Sequence, residues 1–289
     1  MNKVHIIAGP TASGKSGRAL ELAEKCDGVV INADSLQIYQ DLPMLSACPS
    51  AEERARAPHK LYAFLQAEET CSAQIWREAA EIEIRAALAA GKTPIICGGT
   101  GFYILALTRG LSPIADVPEA VRERFIEIAK EEGSQALHAI LSEYDPVAAR
   151  RLHPHDTQRL IRACEVFEAT GQTITHWQSL PREGAIKGID FNVEIIMPER
   201  SVLHERCNLR FEQMIENGVM DEVAALDQRI KLGEIPPDCA VTRTLGFAPL
   251  QRHLHNELSL EEAVALAQID TRQYAKRQST FFNNQKFSD

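Results

Sequence analysis

Apolar and polar positions fall into two regimes along this chain. In roughly the first hundred residues, short and wholly apolar runs alternate with amphipathic ones. Val4–Ala8 is an apolar run closed by Gly9, as expected of a strand buried on both faces. "GVVINADS" is a second such run and ends in a carboxylate, Asp34, while "TPIICGGTG" is a third and runs into a glycine-rich turn. Helical patterns lie between them: Ala19, Leu20, Leu22 and Ala23 after the first strand, then "SAQIWREAAEIEIRAALAAGK", with Ser72 as N-cap and Gly91 as its stop. Strands separated by helices predict βαβ units and a parallel sheet.

From about Val117 the pattern changes. "EAVRERFIEIAKEEG", "SQALHAILSEYD" and "DTQRLIRACEVFEATG" are amphipathic at helical spacing with no strand between them, and a strand returns only at "FNVEIIMP". The expected organisation is one α/β core, residues 1–116 and 187–289, with a helical insertion at 117–186 between its third and fourth strands. After Pro198 the pattern is helical to the end.

Composition narrows the class. The chain has 289 residues, 45% apolar and 25% charged, enough to bury a sizeable core. No apolar run approaches a membrane span, and "MNKVHIIAGP" enters a strand without a leader pattern. The seven cysteines are scattered without a CxxC pair, which suits reduced thiols. The expectation is a cytoplasmic protein with no membrane partner, monomeric by default. A net charge of −9 argues by itself against a nucleic-acid partner. Its distribution does not, because Arg150, Arg151, Arg159 and Arg162 cluster in one span and Arg272, Lys276 and Arg277 in another.

Candidate chemistry begins after the first strand. Gly9, Pro10, Thr11, Ala12, Ser13, Gly14, Lys15 and Ser16 match the phosphate-loop pattern, in which backbone N–H groups and a helix N-terminus cradle phosphate oxygens. Lys15 supplies a point charge and Ser16 a hydroxyl for Mg²⁺. The fold expected of that loop on such a strand order is a P-loop NTPase-like parallel core. The loop predicts a bound diphosphate or triphosphate, not that a phosphoryl group moves. Asp34, at the end of the second strand, reads equally as a Mg²⁺ ligand, a general base or a turn cap. Gln37 and Tyr39 follow it, and an amide placed there suits the edge of an adenine better than it suits a kinase.

Seven stretches, "GPTASGKS", "ADSLQIY", "GGTGFYI", "DTQRLIRACEVFEATG", "LHERCNLRFEQM", "RTLGF" and "TRQYAKRQSTFF", occur in the order seen in the tRNA dimethylallyltransferase family. The chain resembles that family from about Val4 to Phe282. The resemblance implies transfer of a five-carbon prenyl group from dimethylallyl diphosphate to N6 of the adenosine 3′ of the anticodon, releasing pyrophosphate. It implies Mg²⁺ as cofactor, and tRNA and dimethylallyl diphosphate as partners. Asp34 becomes the base for the N6 proton. Lys15, Thr100 and Arg210 join it in catalysis, and Arg243 joins the loop at the diphosphate. The tRNA side falls to Asp34, Ser35, Leu36, Gln37, Thr100, Arg122, Gln158, Arg159, Leu160, Ile161, Arg162, Lys276, Arg277 and Gln278.

Departures from the family pattern are local. Ser46 and Cys48 stand where Thr and Lys are usual, Lys60 replaces a His, and Phe281, Phe282 and Asn283 replace Trp-Phe-Arg. His153 and His155 lack partners at ligand spacing, and Trp76 and Trp177 read as packing residues. Three alternatives stay open on sequence alone: prenyl transfer to free AMP or ATP, a P-loop small-molecule kinase, and a nucleotide-gated RNA-binding protein without catalysis.

Overall fold

The apolar runs pair as the parallel sheet their pattern predicts. A computed structural model describes residues 2–285 and 287. In chain order the first elements are β1 (Asn2–Ala8), α1 (Lys15–Lys25), β2 (Gly28–Asn32), α2 (Ala51–Arg56), β3 (His59–Lys60), α3 (Ala73–Ala89), β4 (Thr93–Gly98) and α4 (Gly101–Arg109). A run of helices follows: α5 (Glu119–Glu131), α6 (Ser134–Tyr144), α7 (Pro146–Arg151), α8 (Thr157–Thr170) and α9 (Ile174–Ser179). The chain then returns to β5 (Ile189–Ile195) and ends in α10 (Arg200–Glu216), α11 (Val219–Lys231), α12 (Phe247–Leu254) and α13 (Leu260–Asn284). It divides into two compact units, one of the residues up to Thr108 together with those from Ile186 onward, the other Arg109–Ala185.

In the first unit the strands lie in the order β3-β2-β4-β1-β5, each pair parallel. Parallel pairing puts all C-terminal strand ends on one edge, where open α/β sheets carry their sites. β2, β4 and β1 are neighbours, so the turns after Asn32, Gly98 and Ala8 emerge side by side. β3, two residues long, is too short to leave a periodic signal. One face of the sheet packs Val4, Ile6 and Ile31 against Trp76, Ile84 and Ile104; the other packs Ile7, Val30 and Ile95 against Ala19 and Leu20 of α1. A further core joins Phe211, Val223, Phe247 and Ala267 of the C-terminal helices to Ile38, Leu42 and Leu45.

The second unit is helical. Phe125, Leu137, Leu141, Leu160, Ala163 and Cys164 form its core. Its start at Arg109 precedes the expected 117 because Leu111 and Glu183 exchange N–H···O bonds at 2.8 Å, tying the lead-in segment to the unit's own end. α8 is capped by Asp156, whose carboxylate accepts the Arg159 N–H at 3.4 Å, and closes at Gly171. All seven cysteines are free. Among the described residues no helix is long and apolar enough to cross a membrane.

Candidate active site

The phosphate loop spans β1 and α1. Its Ala12 holds φ +61°, a conformation that costs an L-residue energy and clusters at functional sites. Lys15 is the first residue of α1 and is buried, with Nζ donating to the Pro10 carbonyl at 3.3 Å. Burial pushes its pKa down, the Arg210 guanidinium adds to this, and Asp34 opposes it. An ammonium so short of counter-charge gains on meeting an anion. Ser13 Oγ is buried without a partner in the same loop, and Ser16 is exposed beside Lys15.

Asp34 lies just past β2 and is buried. Its backbone is fixed by Asn32: Oδ1 accepts the Asp34 N–H at 2.8 Å, while Nδ2 donates to the carbonyls of Asp34 and Leu61, each at 3.0 Å. Trp76 Nε1 in turn donates to the Asn32 carbonyl at 2.8 Å. The Asp34 carboxylate accepts the Leu36 N–H on Oδ1 at 3.1 Å. From the turn after β4, Thr100 Oγ1 accepts the Ser35 N–H at 3.0 Å and donates to Ser35 Oγ at 3.2 Å.

Two C-terminal helices complete the site. On α10, Arg210 Nη2 donates to Thr11 Oγ1 at 2.6 Å and Arg206 Nη1 to the Ser13 carbonyl at 3.4 Å. On α13, Gln278 accepts the Thr11 N–H at 2.8 Å and donates to the Gly99 carbonyl at 2.9 Å, stitching the phosphate loop to the second glycine turn. Gly99 is required by that approach, since a Cβ there would run into Gln278 Nε2. Tyr274 lies against Thr100 and Gln278, its phenol pushed well up by burial. Thr11, Asp34 and Arg210 line one cleft together with the apolar Leu36, Leu45, Phe211 and Met214.

The structure redistributes several residues assigned from sequence. Gln278 is buried between the two loops, not on the exposed side of α13 with Lys276 and Arg277. Gln37 spends its amide on the Ser46 and Ala47 carbonyls, at 2.9 and 2.7 Å, and Tyr39 is a core residue whose phenol burial pushes up to about 12. Neither is disposed to grip a base edge. Arg243 does not line the Asp34 cleft; it opens onto a second one with Asp270, Gln273 and Arg277. Arg272 bonds Asn208 Oδ1 at 2.5 Å.

In the helical unit, Leu160 is fully buried and offers no side-chain surface to a partner. Ile161 is half-buried, and Gln158 and Arg159 are exposed. Arg162 and Arg122 both face the buried Glu165 carboxylate, at 2.6 and 3.6 Å, so part of that basic cluster is neutralised internally. Sequence reasoning missed Asn32, Arg206, Tyr274 and Glu222. Asn32 and Arg206 lay inside quoted motifs, but nothing in their spacing marked a role.

The profile described as IPP transferase matches residues 37–285, and that described as isopentenyl transferase matches 2–64. The tRNA dimethylallyltransferase of Azorhizobium caulinodans is 46% identical over 280 residues, covering 97% of this chain and 88% of its own. That of Paramagnetospirillum magneticum is 45% identical over 280 residues, covering 97% and 87%. A eukaryotic dimethylallyltransferase, seen in crystallographic snapshots acting on tRNA, matches with a TM-score of 0.80 at 26% identity, over 98% of this chain and 70% of that one. The full-length tRNA isopentenylpyrophosphate transferase of Bacillus halodurans matches with a TM-score of 0.66 at 31% identity, over 99% and 88%.

Proposed function

This chain belongs to the tRNA dimethylallyltransferase family and is a prenyltransferase with a P-loop NTPase-like fold; from that premise we propose how its residues divide the reaction. The donor is dimethylallyl diphosphate and the acceptor N6 of the adenosine adjacent, on the 3′ side, to a tRNA anticodon. The observation that carries this is the make-up of one cleft, which brings together Thr11 of the phosphate loop, the arginine bonded to it, a buried carboxylate and four apolar side chains. A diphosphate joined to a hydrocarbon chain matches both kinds of group.

The adenine nitrogen attacks C1 of the donor as the C1–O bond breaks, and the bonding pair leaves with pyrophosphate. Lys15, Arg210 and the loop N–H groups hold the developing negative charge; preorganised donors of this kind are usually the largest catalytic contribution. Asp34 takes the N6 proton. Its Oδ1 is occupied by the Leu36 N–H, which leaves Oδ2 to receive it. Asn32 and the Thr100–Ser35 pair fix the loop that carries this carboxylate. Ser16 Oγ and diphosphate oxygens would hold Mg²⁺, a hard cation that takes oxygen ligands and keeps waters and phosphate in its shell. Bound there, the ion would neutralise charge on the leaving pyrophosphate.

The tRNA is held by phosphate contacts from Arg159 and Gln158 in the helical unit, with Arg122 and Arg162 beside them sharing their charge with Glu165, and from Lys276, Arg277 and, reassigned from the diphosphate, Arg243 in the core. One chain lines the whole cleft, and both substrates are water-soluble. The proposal therefore extends to a monomer working in the cytoplasm. The test is incubation with Mg²⁺, unmodified tRNA and labelled dimethylallyl diphosphate, beside tubes in which AMP replaces tRNA or ATP replaces the donor. Label entering tRNA alone is expected. Label in AMP would change the acceptor, and ATP consumption without prenyl transfer would overturn the reading.

A further inference from the structure

We infer that Leu45 limits the length of hydrocarbon chain the donor can carry, and that Glu222 on α11 holds it in place. The inference rests on the donor diphosphate lying at the phosphate loop, as proposed above. Helix α10 supplies the scale. Arg206 and Arg210 bond the loop, while Phe211 and Met214 line the cleft on the same helix. Four residues advance a helix by about 6 Å. The cleft thus turns from cationic at Arg210 to apolar at Met214 within the span of a short prenyl chain.

Leu45 closes this apolar end. It is buried in one cluster with Phe211 and Met214, and it lines the cleft with them. Two restraints keep it there. The Glu222 carboxylate accepts the Met44 N–H on both oxygens, at 2.8 and 3.1 Å, and the Leu45 N–H at 3.0 Å. On the side-chain flank lies Gly246, at φ +91°, where a Cβ would come within 2.6 Å of Phe211 and 3.3 Å of Leu45 Cδ1. Phe211 and Leu45 therefore pack close against the Gly246 backbone. A loop tied only by its ends would yield to a longer chain; this one is clamped through its backbone by a residue 177 positions away. Glu222 touches no substrate and acts as a positioning residue.

The experiment compares dimethylallyl diphosphate (C5) with geranyl diphosphate (C10) as donors to unmodified tRNA, with a thermal melt to check each variant's fold. Rigid apolar pockets discriminate single methylenes by about 10–200-fold. Leu45→Ala should accordingly raise the C10:C5 ratio of kcat/KM by about 10–100-fold over wild type. Leu45→Val should move it the same way by less, and it decides the matter if Leu45→Ala does not fold. Glu222→Gln keeps one acceptor oxygen; it should raise the donor KM more than it lowers kcat and shift the ratio only a few-fold (about 2–5, on the scale of one weakened restraint), with Glu222→Ala going further. Folded Leu45 variants that keep the wild-type C10:C5 ratio of kcat/KM would overturn the inference. Wild-type protein that transfers no C5 would overturn the functional reading, and this inference with it.

Discussion

At the scale of single residues, the chemistry turns on two buried charged groups, Asp34 and Lys15. Asp34 is buried yet oriented by Asn32 and by the Leu36 N–H, so its role is separable from donor binding. Asp34→Asn preserves that geometry and removes the proton acceptor. Turnover should fall about 10²–10⁴-fold with donor affinity little altered, which single-turnover kinetics beside calorimetric titration of the donor will measure. Lys15 presents the opposite sign. Burial holds its pKa below that of an ordinary lysine, near 10.4, so its charge is lost earlier as pH rises. Donor affinity should therefore decline on the alkaline side before ordinary lysines titrate, and Lys15→Ala should weaken affinity at every pH and flatten that limb.

Between residues and molecule stand the contacts that hold elements together. Asp227 on α11 accepts Lys231 Nζ at 2.7 Å, Gln251 Nε2 at 2.8 Å and His255 Nε2 at 3.0 Å, bridging to α12 and its C-terminal cap. Burial pushes this carboxyl up, but the three hydrogen bonds outweigh it and hold the group below the usual carboxylate value. A depressed acid stabilises the fold above its unfolded pKa, about 3.9, and that contribution disappears as pH falls through the folded value. Denaturant melts across the acid range should show wild type losing stability there while Asp227→Asn, weaker at neutral pH, loses less. In α8 the same reasoning separates two arginines. Arg162 pairs with the buried Glu165 carboxylate, so Arg162→Ala should cost about 1–3 kcal/mol of stability besides any effect on RNA. Arg159 is exposed and pairs with Asp156 at 3.4 Å on the surface, and its loss should leave the melting curve where it is.

For the whole molecule, charge segregation is the property to test. The chain is acidic, at −9, yet Arg159, Lys276, Arg277 and Arg243 stand exposed on it. If they meet phosphates, tRNA affinity falls steeply with salt, and Arg159→Ala should lower the slope of log K against log salt by about 0.9. Filter binding over a salt series reads this directly; a slope equal to wild type would remove Arg159 from the interface.

Much of the architecture was legible before any coordinates. Short, largely apolar runs bounded by glycine turns read as strands covered on both faces, and glycines at set spacing before a lysine read as a loop that lets backbone approach an anion; both signals are local. Hence the parallel core, the phosphate loop, the helical run and the cap of α3 follow from the chain as written. What the sequence could not decide is which side chains from distant segments meet. Gln278 reads as one more polar residue on a basic helix, yet 267 positions of separation vanish when it bonds the Thr11 N–H. Glu222, in no motif at all, clamps the loop that closes the cleft, and Leu160, inside a motif, turns inward. Period and spacing specify a residue's face on its own element; which neighbour that face meets is decided by packing, because burial and hydrogen-bond satisfaction are properties of the folded whole.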